Sequence, residues 1–299
     1  MNLDTAKLRT LETVHLLGSM TAAAATLGYT TGAVSQQMAA LEKSLKVKLF
    51  EHVGRRVQLT DAGIVLFEYA GQILSLEREA QEALLETDRS LVAHVRIGVF
   101  GTAAAELLPP ALERLRHHHP GLSLRTVEVD VDDATSAVDS GEVHVAFGVD
   151  YSDVPIPRRP NVKLRRLRSE RFQVVISEGR KAYSAPVSLA EFADDGWILA
   201  PAKSQYGMAM RFACRRAGFE PRVEHEVTDT ASSLAMVAAD LGIAPVTDLM
   251  LALRGQGTHT VALREEIRRE LVLAYRSHPH PQPGVQTVIN VIGESVALP

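Results

Sequence analysis

Ser35, Gln36 and Gln37 stand side by side, with Thr30 and Thr31 just ahead of them and Thr21 in the preceding segment. A glutamine amide can bond an adenine edge through two atoms, and serine or threonine hydroxyls can serve bases or phosphates. Arg55 and Arg56 end the run His52-Val53-Gly54-Arg55-Arg56, where a short hairpin would carry two charges able to neutralise phosphates. Together these residue types suit contact with double-stranded DNA.

The elements that must position them are legible from spacing. Ser19 offers an N-cap ahead of an alanine-rich run, and Gly28 suits the left-handed end of that helix. Thr30 or Thr31 can then cap a second helix reaching about residue 44. In it Val34, Met38, Leu41 and Leu45 form one apolar face, Gln36 points away, and Ser35 and Gln37 lie on the flanks. Ala23 and Ala24 permit close helix packing, and Leu8, Leu11, Val14 and Leu17 form a covering helix. Leu49-Phe50 and Val57-Gln58-Leu59 bracket the hairpin. These residues alone fit two readings, a helical hairpin with a solvated polar face or a helix-turn-helix with a basic wing.

The set Gly18-Ser19, Thr21, Ala23-Ala24, Leu27, Ala33-Val34-Ser35, Gln37, Leu41-Glu42, Leu49-Phe50, Arg55-Arg56 and Leu59-Thr60, with Ala62-Gly63 just after, resembles the N-terminal domain of the LysR-type transcriptional regulators over residues 4–90. The resemblance implies a winged helix-turn-helix DNA-binding head at 1–60, dominated by α-helix, a linker and dimerisation helix at 61–90, and an α/β effector-binding domain at 91–299. It implies DNA contacts from Thr21, Thr30, Thr31, Ser35, Gln36, Gln37, Arg55 and Arg56. Two positions depart from the family pattern. Thr31 stands where members often carry glutamine, and Glu51-His52 fills a wing site that often ends in arginine.

Thr60 and Asp61 start a helix that nothing breaks until about residue 90, a rod of about 40 Å at ~1.5 Å per residue. Leu66, Ala70, Ile73, Ala80 and Leu84 follow near-heptad spacing, and Phe67, Leu74 and Leu76 widen the stripe. An isolated apolar rod is unstable, so it should pack on other structure, either as a core helix of one large domain or against a partner helix. The resemblance makes that partner the same helix of a second subunit, and the family's pairing of dimers extends the expectation to a tetramer.

From residue 92 short apolar runs alternate with helical segments. Strand 95–99, helix 103–118, strand 122–129, helix 133–140 and strand 143–147 predict a parallel sheet with helices on its faces. The proline-rich residues 155–160 lead to a crossover. A second unit follows: strands 172–176 and 197–200, helix 206–217, strand 223–227, helix 231–239 and strand 243–246. Strand 270–275 and helix 284–292 return to the first. The predicted architecture is therefore two α/β lobes, one about 91–162 with 268–299 and the other about 163–267. Two-lobed bodies hold small molecules in the cleft between lobes. The resemblance likens this body to periplasmic binding proteins through Leu107-Leu108-Pro109, Pro120-Gly121, Gly141-Glu142, Gly218-Phe219-Glu220-Pro221 and Leu241-Gly242-Ile243-Ala244. Strand-end residues Gly101, Thr102, Ser204, Gln205, Thr228 and Thr247 are the candidate effector contacts, each of them equally able to be only a helix or turn cap. Backbone N–H groups opening the helix at Gly101-Thr102 suit a carboxylate.

Other chemistry is weaker. His117, His118 and His119 are consecutive, so on a helix they point apart, and a metal site is not expected. Cys214, the one cysteine, excludes an intrachain disulfide and reads as a buried structural thiol, with redox sensing the minor alternative. Arg165, Arg166 and Arg168 read as a solvated face. No phosphate loop, metal-ligand cluster or nucleophile elbow is present, so no catalytic residue, metal or cofactor is expected and the chain is read as a non-enzyme. Of 299 residues 46% are hydrophobic and 23% charged, with a net charge of −4. Residues 1–60 hold seven Lys/Arg against four Asp/Glu, a balance of +3 that leaves −7 for the rest. A basic head on an acidic body suits DNA contact at one end. Residues 1–10 lack the apolar core of an export signal and no run spans a membrane, so the expected location is the cytoplasm. The expected partners are double-stranded DNA, a small-molecule effector, a second copy of the chain and, as a further candidate, RNA polymerase.

Overall fold

Asp4, Ser19 and Thr30 each start a helix by accepting a backbone N–H in its first turn, from Ala6, Ala22 and Ala33 respectively. In the computed structural model, which describes residues 3–53, 56–86, 93–180, 183–253, 256–277 and 281–296, these caps open α1 (Thr5–Leu17), α2 (Met20–Leu27) and α3 (Thr31–Leu45). Gly18 and Gly28 end the first two in the left-handed conformation, at φ 62° and 72°. A hairpin of β1 (Phe50–Val53) and β2 (Arg56–Leu59) follows, pairing Phe50 with Leu59 and Val53 with Arg56. Glu42 of α3 holds its entry: Oε1 accepts from Leu49 N at 2.9 Å and Oε2 from Lys48 Nζ at 2.9 Å. Burial pushes the Glu42 carboxyl up, but Lys48 and the Leu49 and Phe50 amides outweigh it and leave it below its ordinary value.

Thr60 then starts the long α4 (Asp61–Glu86), accepting from Gly63 N and donating to Lys48 O. The chain divides into two compact units, and α4 belongs to the first, Met1–Leu91 with Asp139–Glu142, rather than standing apart as a separate linker segment. Its Ala70 and Leu74 are buried with Leu8, Leu11, Met38, Leu41 and Leu49, and Leu66, Phe67 and Ile73 pack beside them. This corrects the expected dimer stripe. Ala70 is fully buried inside its own unit, and Leu66 and Ile73 cover the same core, so of the five stripe residues only Ala80 and Leu84 are exposed. The head lacks apolar volume of its own, and the first half of α4 supplies it. The helix leaves a different stripe open, with Val65, Tyr69 and Leu76 between 45% and 59% exposed. Leu17, expected in the covering face of α1, is also exposed.

In the second unit, Val92–Val138 with Val143–Pro299, the first lobe is one five-stranded sheet. β3 (Ala93–Val99) pairs in parallel with β4 (Leu122–Glu128) and β5 (Val145–Tyr151). A π-helical turn, Ala103–Leu107, runs into α5 (Leu108–His118), where Pro109 and Pro110 have no N–H to continue α-type bonding from the preceding turn. α6 (Ala134–Asp139) covers the opposite face, where Ala134, Val138, Val143 and Ala146 form their own cluster. The proline-rich segment leads to β6 (Val162–Arg171), a strand the sequence reading placed in the other lobe as a solvated basic run. β6 lies at the edge of the first sheet, so the lobe boundary falls near residue 171, not 162. Its arginines are engaged: Arg165 donates to Ile289 O, Arg166 pairs with Glu270 and Arg168 with Glu170.

The second lobe contains β7 (Gln173–Ser177), β8 (Gly196–Leu199), α7 (Gln205–Arg216), β9 (Arg222–Glu226), α8 (Thr230–Ala238), β10 (Ala244–Val246), α9 (Asp248–Leu251) and β11 (Thr258–Ala262). β10, β7 and β11 pair antiparallel, and β8 pairs with β9 in parallel. β12 (Arg268–Arg276) returns to the first lobe antiparallel to both β5 and β6, so the sheet is mixed, with the expected parallel pairing kept by β3, β4 and β5. α10 (Pro283–Val296) closes the unit beside α5. Cys214 of α7 is 1% exposed, and burial pushes its thiol up to about 12, a thiol and not a reactive thiolate at neutral pH.

Gly63 joins hairpin and helix in the head, and a Cβ there would collide with the Leu49 carbonyl oxygen, a backbone atom that cannot rotate away. Gly63→Ala is expected to lower the unfolding free energy of the head by about 1–3 kcal/mol, read by urea denaturation.

Candidate functional site

Two surfaces carry the candidate residues. On the head, Thr21, Thr30, Thr31, Ser35 and Gln36 are all exposed. Thr30 is partly spent as the α3 cap. Gln36 has both amide atoms available among the described residues, as a two-point adenine contact requires. Gln37 differs. It is half-buried, and Thr10 Oγ1, itself 1% exposed, donates to its Oε1 at 2.7 Å. One of the two atoms needed for an adenine edge is thereby used to tie α3 to α1. Tyr29, 49% exposed in the turn before α3, presents a phenol on the same segment as Thr30. Sequence reading passed over it because turns are commonly polar, and an aromatic in the turn was the available signal. Arg55 lies outside the described residues, and of Arg56 only the backbone, in β2, is described.

The second surface is a cavity of about 610 Å³ between the lobes of the second unit. Thr102 and Asp132 line it from the first lobe, and Ser204, Tyr206 and Thr228 from the second. Gly101 lines it too. The strand-end logic therefore brings four of the six predicted residues together. Ser204 is also a cap: its Oγ accepts from Gly207 N at 3.0 Å and lies 2.9 Å from Pro201 O. Gln205 and Thr247 are corrections, being absent from the described lining. Gln205 enters through its backbone, whose N–H donates to Asp132 Oδ2 at 3.0 Å and so ties α7 to the opposite lobe.

Thr247 is fully buried behind the cavity. It donates to Glu170 Oε2 at 3.1 Å and accepts from Arg269 Nη2 at 2.9 Å. Arg269 Nη2 and Glu170 Oε2 are 2.8 Å apart, and the two residues are 5% and 6% exposed. They are cross-strand partners on β12 and β6. Burial pushes Glu170 up, but Arg269 and then Arg168 outweigh it and hold the carboxyl below its ordinary value. Phe172, Tyr151 and Tyr206 stack in front of this pair, the rings of Phe172 and Tyr206 with centroids 5.9 Å apart. Burial pushes the Tyr151 phenol up to about 12 and the Tyr206 phenol higher still, so both present neutral hydroxyls at physiological pH. Asp132 is raised, by burial first and then by Asp130 and Asp133, against the Gln205 N–H that lowers it. Neither Asp132, the aromatic floor nor Arg269 was singled out in the sequence, because their neighbours are remote along the chain.

The histidine run holds no cluster: His118 Nδ1 lies 3.0 Å from the Arg114 carbonyl, and no group of three metal-ligating side chains occurs among the described residues. No helix among them is long and apolar enough to cross a membrane.

Comparisons with known proteins agree with this geometry. A family model for the bacterial regulatory helix-turn-helix protein, lysR family, matches residues 5–64, and one for the LysR substrate binding domain matches residues 88–297. The chain is 29% identical over 252 residues to the HTH-type transcriptional regulator TfdS of Cupriavidus pinatubonensis, covering 83% of each. It is 31% identical over 229 residues to the regulator ShiR of Corynebacterium glutamicum, covering 75% of this chain and 76% of that one. The crystal structure of CbnR, a LysR family transcriptional regulator, superposes with a TM-score of 0.68 at 21% identity, covering 98% of this chain and 99% of that one. CbnR has also been solved in complex with its target DNA.

The buried pair behind the cavity has a measurable signature. Glu170→Gln leaves the Arg269 charge without its full counter-charge and is expected to cost about 3–5 kcal/mol in denaturant unfolding. A depressed carboxyl stabilises the folded state above its unfolded value, near 4.5, and loses that contribution as pH falls through the lower folded value. The variant should therefore show a shallower loss of stability than the wild-type chain below about pH 4.5.

Proposed function

This chain belongs to the LysR family of bacterial transcriptional regulators, and on that premise we propose that it binds promoter half-sites through α3 and the hairpin wing and responds to a small molecule held between the lobes of its effector unit. The observation that carries the reading is the cavity of about 610 Å³, lined from both lobes, in the same chain as a capped helix pair with exposed Thr31, Ser35 and Gln36. Gln36 reads base edges, Ser35 and Thr31 serve bases or phosphates, and Arg55 and Arg56 grip the flanking backbone. Gln37 sets the pitch of α3 against α1 and offers its one amide nitrogen, Nε2, to DNA.

Two copies pair through the open stripe of α4, with Val65, Tyr69, Leu76 and Ala80 at spacings of four or seven residues and Leu84 one turn on. Pairing sets two recognition helices on two half-sites. The effector shifts the population between arrangements of the subunits, and it does so only to the extent that it binds them with different affinity. The family consists of regulators, and we assign no catalytic role. On this reading the protein works in the cytoplasm, with RNA polymerase a further partner.

Three measurements test this. Gln36→Ala is expected to reduce discrimination between operator and mismatched DNA by about 1–3 kcal/mol in salt-controlled binding titrations, while non-specific affinity stays unchanged. In size-exclusion chromatography with light scattering the wild-type chain should run as a dimer or tetramer at micromolar concentration and Tyr69→Glu as a smaller species; a monomeric wild type refutes the assembly. Thr102→Val should weaken the effector response of a promoter reporter while operator binding remains intact, and an unchanged response counts against the cleft.

A further inference from the structure

The charge around the cavity is informative about what enters it, an inference that rests on the cavity being the effector site. Helix N-termini are natural carboxylate receivers. Here two of the helices that open on the cavity are already supplied with the chain's own carboxylates. Gln205 N, at the start of α7, donates to Asp132 Oδ2 at 3.0 Å, and Ser232 N, in the first turn of α8, donates to Asp229 Oδ1 at 2.7 Å. The buried cation of the lining is spent in the same way, with Arg269 held by Glu170 and Thr247.

What remains of the lining is an excess of negative charge. Glu128, Asp130, Asp132, Asp133 and Asp229 face only Lys203 and Arg269, a formal balance of −3 among the described lining residues, and Glu170 behind the lining already offsets the Arg269 charge. Lys203 is exposed and has solvent to satisfy it. One helix start on the cavity, at Gly101-Thr102, has no side-chain cap and suited a carboxylate in the sequence, but an anionic effector seated there would lie in a lining of five carboxylates. A second observation points to a ligand independently of the acids. Thr102 lines the cavity with 5% of its surface exposed, and its hydroxyl has no hydrogen-bond partner among the described residues. The hydroxyl opens on the cavity without a protein partner, so it is free to accept a ligand N–H. The walls add Phe100, Val131, Tyr151, Tyr206 and Met250, a surface suited to an apolar or aromatic body and to a cation resting on ring faces.

We propose that the effector is a protonated organic amine carried on an apolar or aromatic body. The ammonium offers three donors, the lining carboxylates and the Thr102 hydroxyl accept them, and the aromatic floor takes the body. A cation also relieves the mutual repulsion of Asp130, Asp132 and Asp133, which lie in one turn.

The test uses the full chain and two probes with one phenyl body and opposite charge at neutral pH, 2-phenylethylamine and 3-phenylpropionate, read by calorimetry and by thermal melting. The amine should bind at least tenfold more tightly than the acid and raise the melting temperature. Asp133→Asn and Glu128→Gln, both at exposed lining positions that cap no long helix, should each weaken the amine and narrow its advantage without changing the melting temperature of the free protein. Equal or tighter binding of the acid overturns the proposal and leaves the cleft as the effector site. Binding of neither probe at millimolar concentration, or amine binding that both variants leave unchanged, also overturns it. The cleft reading is decided separately, by the reporter response of Thr102→Val.

Discussion

The effector unit turns on one buried ion pair. Two strands connect the lobes, β6 running out toward β7 and β12 running back after β11, and Glu170 and Arg269 face each other across these strands at the crossings. Two charges buried this deeply survive only when each neutralises the other and the remaining lone pairs and protons are also matched. Arg168 and Thr247 complete that matching, the first from β6 itself and the second from the far lobe. The pair therefore fixes strand register in one lobe and anchors a loop of the other. Phe172 stacks with Tyr151 and Tyr206 in front of it and lies under Arg269 at 5.8 Å. The floor of the cavity is thus held by a polar knot that the ligand need not break.

The head obeys a different constraint. Three short helices and a two-stranded hairpin cannot bury enough apolar surface alone, and small domains are marginal for that reason. The first half of α4 supplies Ala70 and Leu74 to their core, each buried leucine contributing about 1.5–3 kcal/mol. One helix thus serves two surfaces, an inner stripe for its own head and an outer stripe of exposed apolar side chains. Under the proposed pairing of outer stripes, a shift in how they pack would reach the recognition helix, because the same helix carries both.

Much of the plan was legible in the residues. Ser19, Thr30 and Thr60 announce helix starts by local chemistry, and Gly28 announces a stop, so the helices of the head are legible from the residues. The strand-end rule points to Gly101, Thr102, Ser204 and Thr228, which line one cavity, because strand order and helix order are local properties of the pattern. Sequence reading failed where a residue's partner is remote. Gln37 looked like a base reader until Thr10 was found at its amide, and Thr247 looked like a ligand contact until Glu170 and Arg269 claimed its hydroxyl. β6 escaped because its arginines read as a solvated run, whereas three of them meet partners about 2, 104 and 124 positions away along the chain.

The sequence by itself determined the helix starts and stops of the head and much of the strand and helix order of the body, since caps, periodicity and turn residues act within a few positions. Only the tertiary structure decided which face of α4 is inner, which lobe owns β6, and what charge surrounds the cavity. Those outcomes depend on carboxylates and arginines brought together from distant segments. Their energies are set by burial and pairing, quantities that exist only once the chain has closed around them.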